Sequence, residues 1–298
     1  MQEDRYLPRI LELDRPRGDG EIALSLGRWR VRITGLEDEL AQVLALRWGA
    51  FVSRAQGADR AVLRAVRGTS DLWLPHWEWM ERYRVEGTVE NGQPVVRSYH
   101  FAMTQGEDAA WRLALADDPD EPMARVVENA VRTVVARLAV SDGGFAIHAA
   151  GALRRGRAYL LAGPSRSGKT TAIAVSRGLA EDLGDDLAVV LPDGSGWSAP
   201  ALPFGSRDEA PPRPEGELFP VAGIYRLFQG EAPRVEELPR ARAVASLVGC
   251  VASPWAVPDL ADGILEGARR FVSTCRFAHL HFGMAPDFWP LLEAGPEP

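Results

Sequence analysis

The segment that most constrains the fold is Gly163-Pro-Ser-Arg-Ser-Gly168-Lys169-Thr170, which fits the pattern GxxxxGK[ST]. The apolar run Tyr159–Ala162 before it predicts a short buried strand. The residues Thr170–Gly178 after it predict a helix that ends at a glycine, which tolerates the left-handed geometry found there. The loop glycines let the backbone curl so that successive N–H groups point at one anion. This strand–loop–helix unit predicts an α/β fold with a site for the phosphates of a nucleotide.

The ligands expected at this loop are ATP and Mg²⁺, with the choice between ATP and GTP left open. Lys169 can reach between the β- and γ-phosphates, and the Thr170 hydroxyl can ligate Mg²⁺. An eight-residue pattern with loose positions also arises by chance, but the strand and helix signals on both sides favour a nucleotide site. The predicted nucleotide contacts are Gly163, Pro164, Ser165, Arg166, Ser167, Gly168, Lys169, Thr170 and Thr171.

Two adjacent carboxylates, Asp185 and Asp186, follow Lys169 by sixteen and seventeen residues. A short helix returning to a neighbouring strand spans about this distance, so both carboxylates can lie beside the phosphates. One would hold Mg²⁺, and the other would accept the proton of an attacking hydroxyl. The sequence does not assign these two roles, and a solvated acidic turn that includes Glu181 and Asp182 is the alternative. The pair changes the prediction from nucleotide binding to phosphate transfer.

Charge and hydropathy exclude several classes of protein. The net charge is −7, with arginines interspersed among acidic residues, which argues against nucleic acid as the main partner. No window approaches the roughly 18 apolar residues of a membrane span, and the charged N-terminus does not resemble a signal peptide. The two cysteines, Cys250 and Cys275, form neither a CxxC motif nor a disulfide framework. These features predict a cytoplasmic protein without a membrane partner.

The predicted elements divide the chain near the acidic, proline-containing stretch Ala116–Pro122. Residues 1–122 predict a smaller β-rich domain that helps to recognise the substrate, and residues 123–298 predict an α/β kinase domain. The pair Asn91-Gly92 predicts a hairpin in the first part. The other predicted elements are strands at Glu21–Leu26, Trp29–Ile33, Phe145–Leu153, Leu187–Leu191, Trp197–Ala201 and Val221–Phe228, and helices at Leu36–Trp48, Met123–Leu138, Pro239–Val251 and Leu260–Val272.

Roughly residues 125–298 resemble the HPr kinase/phosphorylase family, whose nucleotide core is similar to that of phosphoenolpyruvate carboxykinases. The resemblance is strongest in the loop and in the aspartate pair that follows it so closely. It rests on Ile147-His148-Ala-Ala-Gly151-Ala-Leu153, the loop Gly163–Thr170, Gly178 followed by Leu183-Gly-Asp185-Asp186, the stretch Val221–Phe228 with Gln229-Gly230, and the ending Pro286–Leu292 with Trp289.

The resemblance implies a P-loop kinase core that moves phosphate from ATP to a serine of a protein or peptide. Divergent relatives beside ribosomally made peptide pathways look like peptide kinases. By position, His148 would lie near the phosphates, and Lys169, Thr170 and the aspartate pair would keep the roles given above. Thr171 stands where the family has glutamate, and Gly205-Ser-Arg207-Asp-Glu209 matches a later family signature poorly. The resemblance therefore supports kinase chemistry and leaves phosphorylase activity and HPr specificity open.

Further candidates have competing structural interpretations. Arg207, in the long loop, and Arg166 could each neutralise charge on a transferring phosphoryl group, and Arg207 is the preferred of the two. His279 and His281 share one strand face, but no third metal ligand is evident, so a structural role is favoured. Core packing is likewise favoured over peptide docking for the tryptophans Trp73, Trp77 and Trp79.

Three functions fit these observations. The first is an ATP-dependent kinase that phosphorylates a serine of a peptide or protein. The second is a kinase of a small hydroxylated metabolite, which needs the same site and a different acceptor pocket. The third is a nucleotide-binding regulatory module without transfer activity, which Thr171 keeps open while Lys169, Thr170 and the aspartate pair argue against it. The residues predict neither the acceptor nor the oligomeric state.

Overall fold

The computed structural model describes residues 6–53, 57–75, 84–106, 108–205, 216–252 and 258–294. Within these ranges the chain is a mixed α/β protein with two sheets and seven α-helices. It forms two compact units, Met1–Val135 with Ser253–Ala261 and Ala136–Ala252 with Asp262–Pro298. The division falls within a long helix, thirteen residues beyond the predicted boundary at residue 122, and Ser253–Ala261 of the predicted second domain belong to the first unit. Among the described helices, none combines the length and apolar character needed to cross a bilayer.

The first unit is rich in strands. Its seven described strands form one sheet in the order β1-β2-β3-β7-β6-β5-β4. Inward-facing residues alternate with partly exposed ones along β1 and β2, as expected for a sheet with one covered face. The elements are α1 (Tyr6–Leu11), β1 (Gly20–Leu26), β2 (Trp29–Leu36), α2 (Asp38–Trp48), β3 (Ala61–Arg67), β4 (Val85–Glu90), β5 (Gln93–Ser98), β6 (Phe101–Gln105), β7 (Trp111–Leu115) and the start of α3 (Met123–Ser141).

The hairpin predicted from Asn91-Gly92 is confirmed. Both residues have positive φ, 51° and 78°, and Glu90 pairs with Gln93 across the two-residue turn. This backbone twist matches the right-handed twist of the flanking strands. Trp73 packs against the core of the same unit, as favoured from the sequence, whereas Trp77 and Trp79 lie outside the described residues.

The second unit contains a nine-stranded sheet in its described part. The order is β11-β9-β10-β14-β13-β12-β8, with β16 beside β14 and β15 beside β16. The elements are β8 (Phe145–Ile147), β9 (Ala149–Arg154), β10 (Arg157–Ala162), α4 (Lys169–Val175), β11 (Glu181–Gly184), β12 (Ala188–Asp193), β13 (Gly196–Pro200), β14 (Leu218–Gln229), β15 (Arg234–Glu237), α5 (Arg240–Val248), α6 (Ala261–Thr274), β16 (Arg276–Phe282) and α7 (Trp289–Glu293).

Because of the strand directions, several connecting loops lie at one edge of this sheet. The strands β10 and β16 both run parallel to β14, so their carboxyl ends lie at the same edge. The strand β11 joins this set because it is antiparallel to β9, which is antiparallel to β10. Ala149 pairs with Ala162, and Gly151 pairs with Gly184. The chain therefore leaves β10 and β11 at the same edge of the sheet, on either side of β9.

Two elements differ from their sequence predictions. The predicted strand Phe145–Leu153 is broken at His148, because that residue's N–H donates to the Cys250 carbonyl and its carbonyl accepts from the Gly163 N–H. The predicted helix Thr170–Gly178 ends at Val175, since β11 must start soon afterwards and run back along β9. Gly178, with φ of 79°, instead lies in the turn between them.

A buried hydrogen-bond chain connects α4 to α7. The indole N–H of Trp289 donates to Ser176 Oγ at 3.0 Å, and the Ser176 hydroxyl donates to the Ala172 carbonyl at 2.7 Å. Both side chains are buried, at 1% and 2% exposure. A Ser176→Ala variant leaves the indole N–H without its acceptor, so we expect it to lower the free energy of unfolding by about 1–3 kcal/mol. Urea denaturation measures this loss.

The matched control is Ser273→Ala. The Ser273 hydroxyl also donates to a helical carbonyl, that of Arg270 at 2.7 Å, but at an exposed position. Water can replace this contact, so the free energy of unfolding should change by less than about 0.5 kcal/mol. Equal losses in the two variants would show that the buried chain adds no stability.

Candidate functional site

The segment Gly163–Thr170, called the glycine-rich loop below, has a backbone that only certain residues allow. A Cβ on Gly163 would lie 2.5 Å from Ser167 Oγ. Gly168 has φ of 100°, and a Cβ there would lie 2.8 Å from the Phe282 ring. Both positions therefore require glycine. Arg166 is a non-glycine residue with φ of 67°, a left-handed conformation that is unfavourable by about 1–2 kcal/mol.

Lys169 begins α4 and is buried, with 7% of its surface exposed. Its amine donates to the carbonyls of Gly163 at 2.9 Å and Pro164 at 3.0 Å, and contacts His148 Nε2 at 2.9 Å. Burial lowers the pKa of Lys169 from its ordinary value, while the nearby Asp186 and Asp185 oppose that shift. The loop therefore holds a partly desolvated cation through its own carbonyls.

His148 lies at the break between β8 and β9, between this cation and a carboxylate. A lysine ammonium has only donors, so Nε2 of the imidazole must accept from it and the ring proton belongs on Nδ1. Nδ1 lies 2.8 Å from the main-chain oxygen of Asp186 and 3.1 Å from its Oδ1. Lys169, neutral His148 and Asp186 thus form one hydrogen-bonded chain, called the Lys-His-Asp chain below.

The aspartate pair directly follows β11, at the edge where the glycine-rich loop leaves β10. Asp185 is buried at 6% exposure, and the Asp186 side chain is 30% exposed. The two neighbouring carboxylates therefore differ in their access to solvent. A reactant that arrives from solvent reaches Asp186 more readily than Asp185.

These groups line one cavity of about 340 Å³, a size in the usual range for small-molecule sites. Its lining is mostly polar and carries charges of both signs, as a site for a charged ligand requires. The lining residues are His148, Ser165, Arg166, Gly168, Lys169, Thr170, Thr171, Asp185, Asp186 and Gln229.

Most residues predicted for the site are together in this cavity or support it. Gly163 and Pro164 contribute the carbonyls that hold Lys169. Ser167 Oγ is buried and has no hydrogen-bond partner within the described ranges. Arg207, the preferred transition-state arginine, lies outside the described residues.

Sequence reasoning missed Gln229 as a site residue. It ends β14, the strand beside β10, and so reaches the same cavity. The available signal was its position directly after an apolar strand. That signal identifies a site residue only once the parallel pairing of β14 with β10 is known.

His279 and His281 belong to a different polar cluster. His279 Nε2 lies 2.9 Å from Ser246 Oγ, and both histidines face Glu236, at 3.8 and 3.4 Å. Burial lowers the pKa of His279. The described part of the chain contains no group of three or more His, Cys, Asp or Glu side chains placed to hold a metal. Among the described residues, the Asp185–Asp186 pair therefore has no third His, Cys, Asp or Glu side chain placed to share a metal with it.

Comparison with known families gives a match over the middle of the chain. The model of the family described as "SynChlorMet cassette protein ScmC" matches residues 114–270, more than half of the chain. The matched range includes the glycine-rich loop, His148 and the aspartate pair. No curated protein matches the chain significantly.

Proposed function

We propose that this chain, which belongs to the SynChlorMet cassette protein ScmC family, is an ATP-dependent kinase that phosphorylates a hydroxyl group. The observation that supports this most is the shared cavity of Lys169, Asp185 and Asp186. A cation held beside two carboxylates suits phosphoryl transfer, which depends on charge stabilisation and on a base for the acceptor. The fold we propose for the second unit is a P-loop kinase core of the HPr kinase/phosphoenolpyruvate carboxykinase type.

The residues present fit a magnesium nucleotide. The amine of Lys169 can exchange loop carbonyls for phosphate oxygens. The Ser167 hydroxyl, which has no hydrogen-bond partner among the described residues, offers a donor inside the loop. Thr170 and Asp185 would hold Mg²⁺ together with phosphate oxygens, because Mg²⁺ commonly takes only one or two carboxylates and completes its shell with phosphate and water. The bound ion would neutralise charge on the phosphates.

The transfer step needs a base, and we assign that role to Asp186, the more exposed carboxylate. The acceptor oxygen forms a bond to the γ-phosphorus and gives its proton to the Asp186 carboxylate. The bond between the γ-phosphorus and the bridging oxygen breaks, and its electron pair leaves with ADP. His148 orients Asp186 through Nδ1–H, while Lys169 stabilises charge on the phosphoryl oxygens.

The proposed acceptor is a serine of a peptide or protein. Membership of a cassette protein family supports an acceptor encoded in the same cassette. The resemblance to peptide kinases supports a peptide as that acceptor.

The test is incubation of the protein and Mg²⁺ with γ-labelled ATP and the cassette's peptides or metabolites, followed by mass spectrometry. A phosphoserine peptide is the expected product, a phosphorylated metabolite would favour the second function, and ATP binding without transfer to any acceptor would indicate a regulatory module.

Nucleotide binding should depend strongly on Mg²⁺. In the cavity, the cations Lys169 and Arg166 are balanced by the carboxylates Asp185 and Asp186, so the lining itself offers no net charge to a polyphosphate. We expect chelation of Mg²⁺ with EDTA to weaken ATP binding by about 10-fold or more, as judged by calorimetry. Adenosine, which carries no phosphate, is the control ligand. Equal ATP affinity with and without EDTA would contradict the proposed metal role.

A further inference from the structure

Arg166 is exposed to solvent, but two features distinguish it from an ordinary surface arginine. Its backbone has φ of 67°, which disfavours every residue with a Cβ. Arg166 also lines the cavity that contains Lys169 and the aspartate pair. Within the described residues, no hydrogen bond or ion pair satisfies its guanidinium. A strained residue persists where the surrounding structure or the function requires it, and no polar contact among the described residues supplies that requirement.

We propose that Arg166 contacts the γ-phosphoryl group of the bound nucleotide and stabilises the charge on it during transfer. This inference rests on the proposed kinase function. The planar guanidinium presents several N–H donors in a geometry that matches phosphate oxygens, and its charge persists at any physiological pH. Arg166 thus supplies from within the glycine-rich loop the role for which Arg207 was preferred on sequence grounds.

The charge balance of the cavity explains why binding of the γ-phosphate needs Arg166. Backbone N–H groups of such a loop, together with Lys169, match the inner phosphates of a nucleotide. With Asp185 compensated by the proposed Mg²⁺, the Asp186 carboxylate still repels the outer phosphate, where the acceptor hydroxyl must be activated. Arg166 and Lys169 are the cations that line the cavity beside these carboxylates. Without Arg166, the cavity lining would have net negative charge.

The backbone strain provides a readout that does not depend on activity. Glycine adopts a φ of 67° without a Cβ penalty, so Arg166→Gly removes strain together with the guanidinium. We expect this variant to unfold about 1–4 °C above the original chain. At the same time, its affinity for ATP should fall about 10- to 100-fold, the effect of losing a charge-assisted contact. Its affinity for ADP should change by less than about 3-fold, because ADP lacks the γ-phosphate.

The chain offers a matched control in Arg155→Gly. Arg155 is also an arginine with positive φ, 52°, in the turn between β9 and β10, at the far end of β10 from the glycine-rich loop. Its side chain is 73% exposed and pairs with Glu293 at 3.2 Å, a contact that adds little stability. This variant should show the same rise in melting temperature with unchanged ATP and ADP affinity. Arg166→Asn, whose side chain tolerates left-handed geometry without a charge, should lose ATP affinity as Arg166→Gly does.

One experiment compares these chains in melting temperature, in ATP and ADP affinity and in transfer rate. Selective loss of ATP affinity in both Arg166 variants, with Arg155→Gly unaffected, supports the inference. An original chain that binds and transfers phosphate, with Arg166 variants that match it in ATP affinity and rate, overturns the role of Arg166 alone. An original chain that does not bind ATP overturns both this role and the proposed kinase function. A fall in melting temperature without a change in ATP affinity would show a purely structural role.

Discussion

Replacing Lys169 with methionine is expected to reduce kcat/KM for phosphate transfer by about 10³-fold, a loss typical of removing one strong stabiliser of transition-state charge. The Lys169 amine makes three polar contacts at 2.9–3.0 Å, and Lys169 lines the cavity described above. Methionine has a similar length and fills the buried position without the positive charge. ATP affinity, measured by calorimetry, should fall together with the rate because the ammonium contacts the ground state as well.

The matched control for this variant is Arg157→Met. Arg157 is an exposed cation at the start of β10, whereas Lys169 lies beyond the loop that follows the end of the same strand. Both variants lose one positive charge, so an effect of net charge alone would appear in both. Transfer by Lys169→Met within a few-fold of the original rate would show that the glycine-rich loop is not the phosphate site.

The environment of Lys169 also predicts a pH effect. Burial lowers its pKa, so the amine becomes neutral at a lower pH than an exposed lysine does. As pH rises through this lowered value, the cavity loses a cation and ATP affinity should fall. The Lys169→Met variant has no such cation, so its residual affinity should lack this decline.

The strand and helix pattern of both units could be predicted where local chemistry decides the conformation. Asn91-Gly92 specifies its hairpin because both residues tolerate positive φ. The helix over Met123–Ser141 follows from apolar residues at helical spacing, and Val126, Val127 and Val131 are fully buried as that pattern requires. These elements depend on residues close in sequence.

The parts of the site that escaped prediction depend on distant contacts. The break at His148 arises because its N–H bonds to Cys250, more than a hundred residues away in the chain. The position of His148 was predicted by family resemblance, but its contact with Lys169 and its bonds to Asp186 emerge only from the pairing of β9 with both β10 and β11. Gln229 reaches the cavity through the parallel pairing of β14, which periodicity does not reveal.

Replacing Asp186 with asparagine is expected to lower kcat about 10²- to 10⁴-fold while ATP affinity stays within about 3-fold, the pattern for loss of a general base. Asparagine keeps the shape of the side chain, and its amide oxygen can still accept from His148 Nδ1, which lies 3.1 Å from Asp186 Oδ1. The amide cannot take a proton from an acceptor hydroxyl. The Lys-His-Asp chain should therefore survive while the proton transfer is lost, and single-turnover measurements with saturating ATP isolate that step.

The companion variant Asp185→Asn separates base from metal ligand. Asp185 is buried beside the loop and is assigned to Mg²⁺, so its loss should raise the Mg²⁺ concentration required for ATP binding. Asp193→Asn, an exposed carboxylate at the end of β12, removes the same charge outside the cavity and should change neither property. If Asp185→Asn loses turnover at saturating Mg²⁺ while Asp186→Asn retains it, the two roles must be exchanged. Full transfer in both variants would leave the reaction without a carboxylate base and would refute the proposed mechanism.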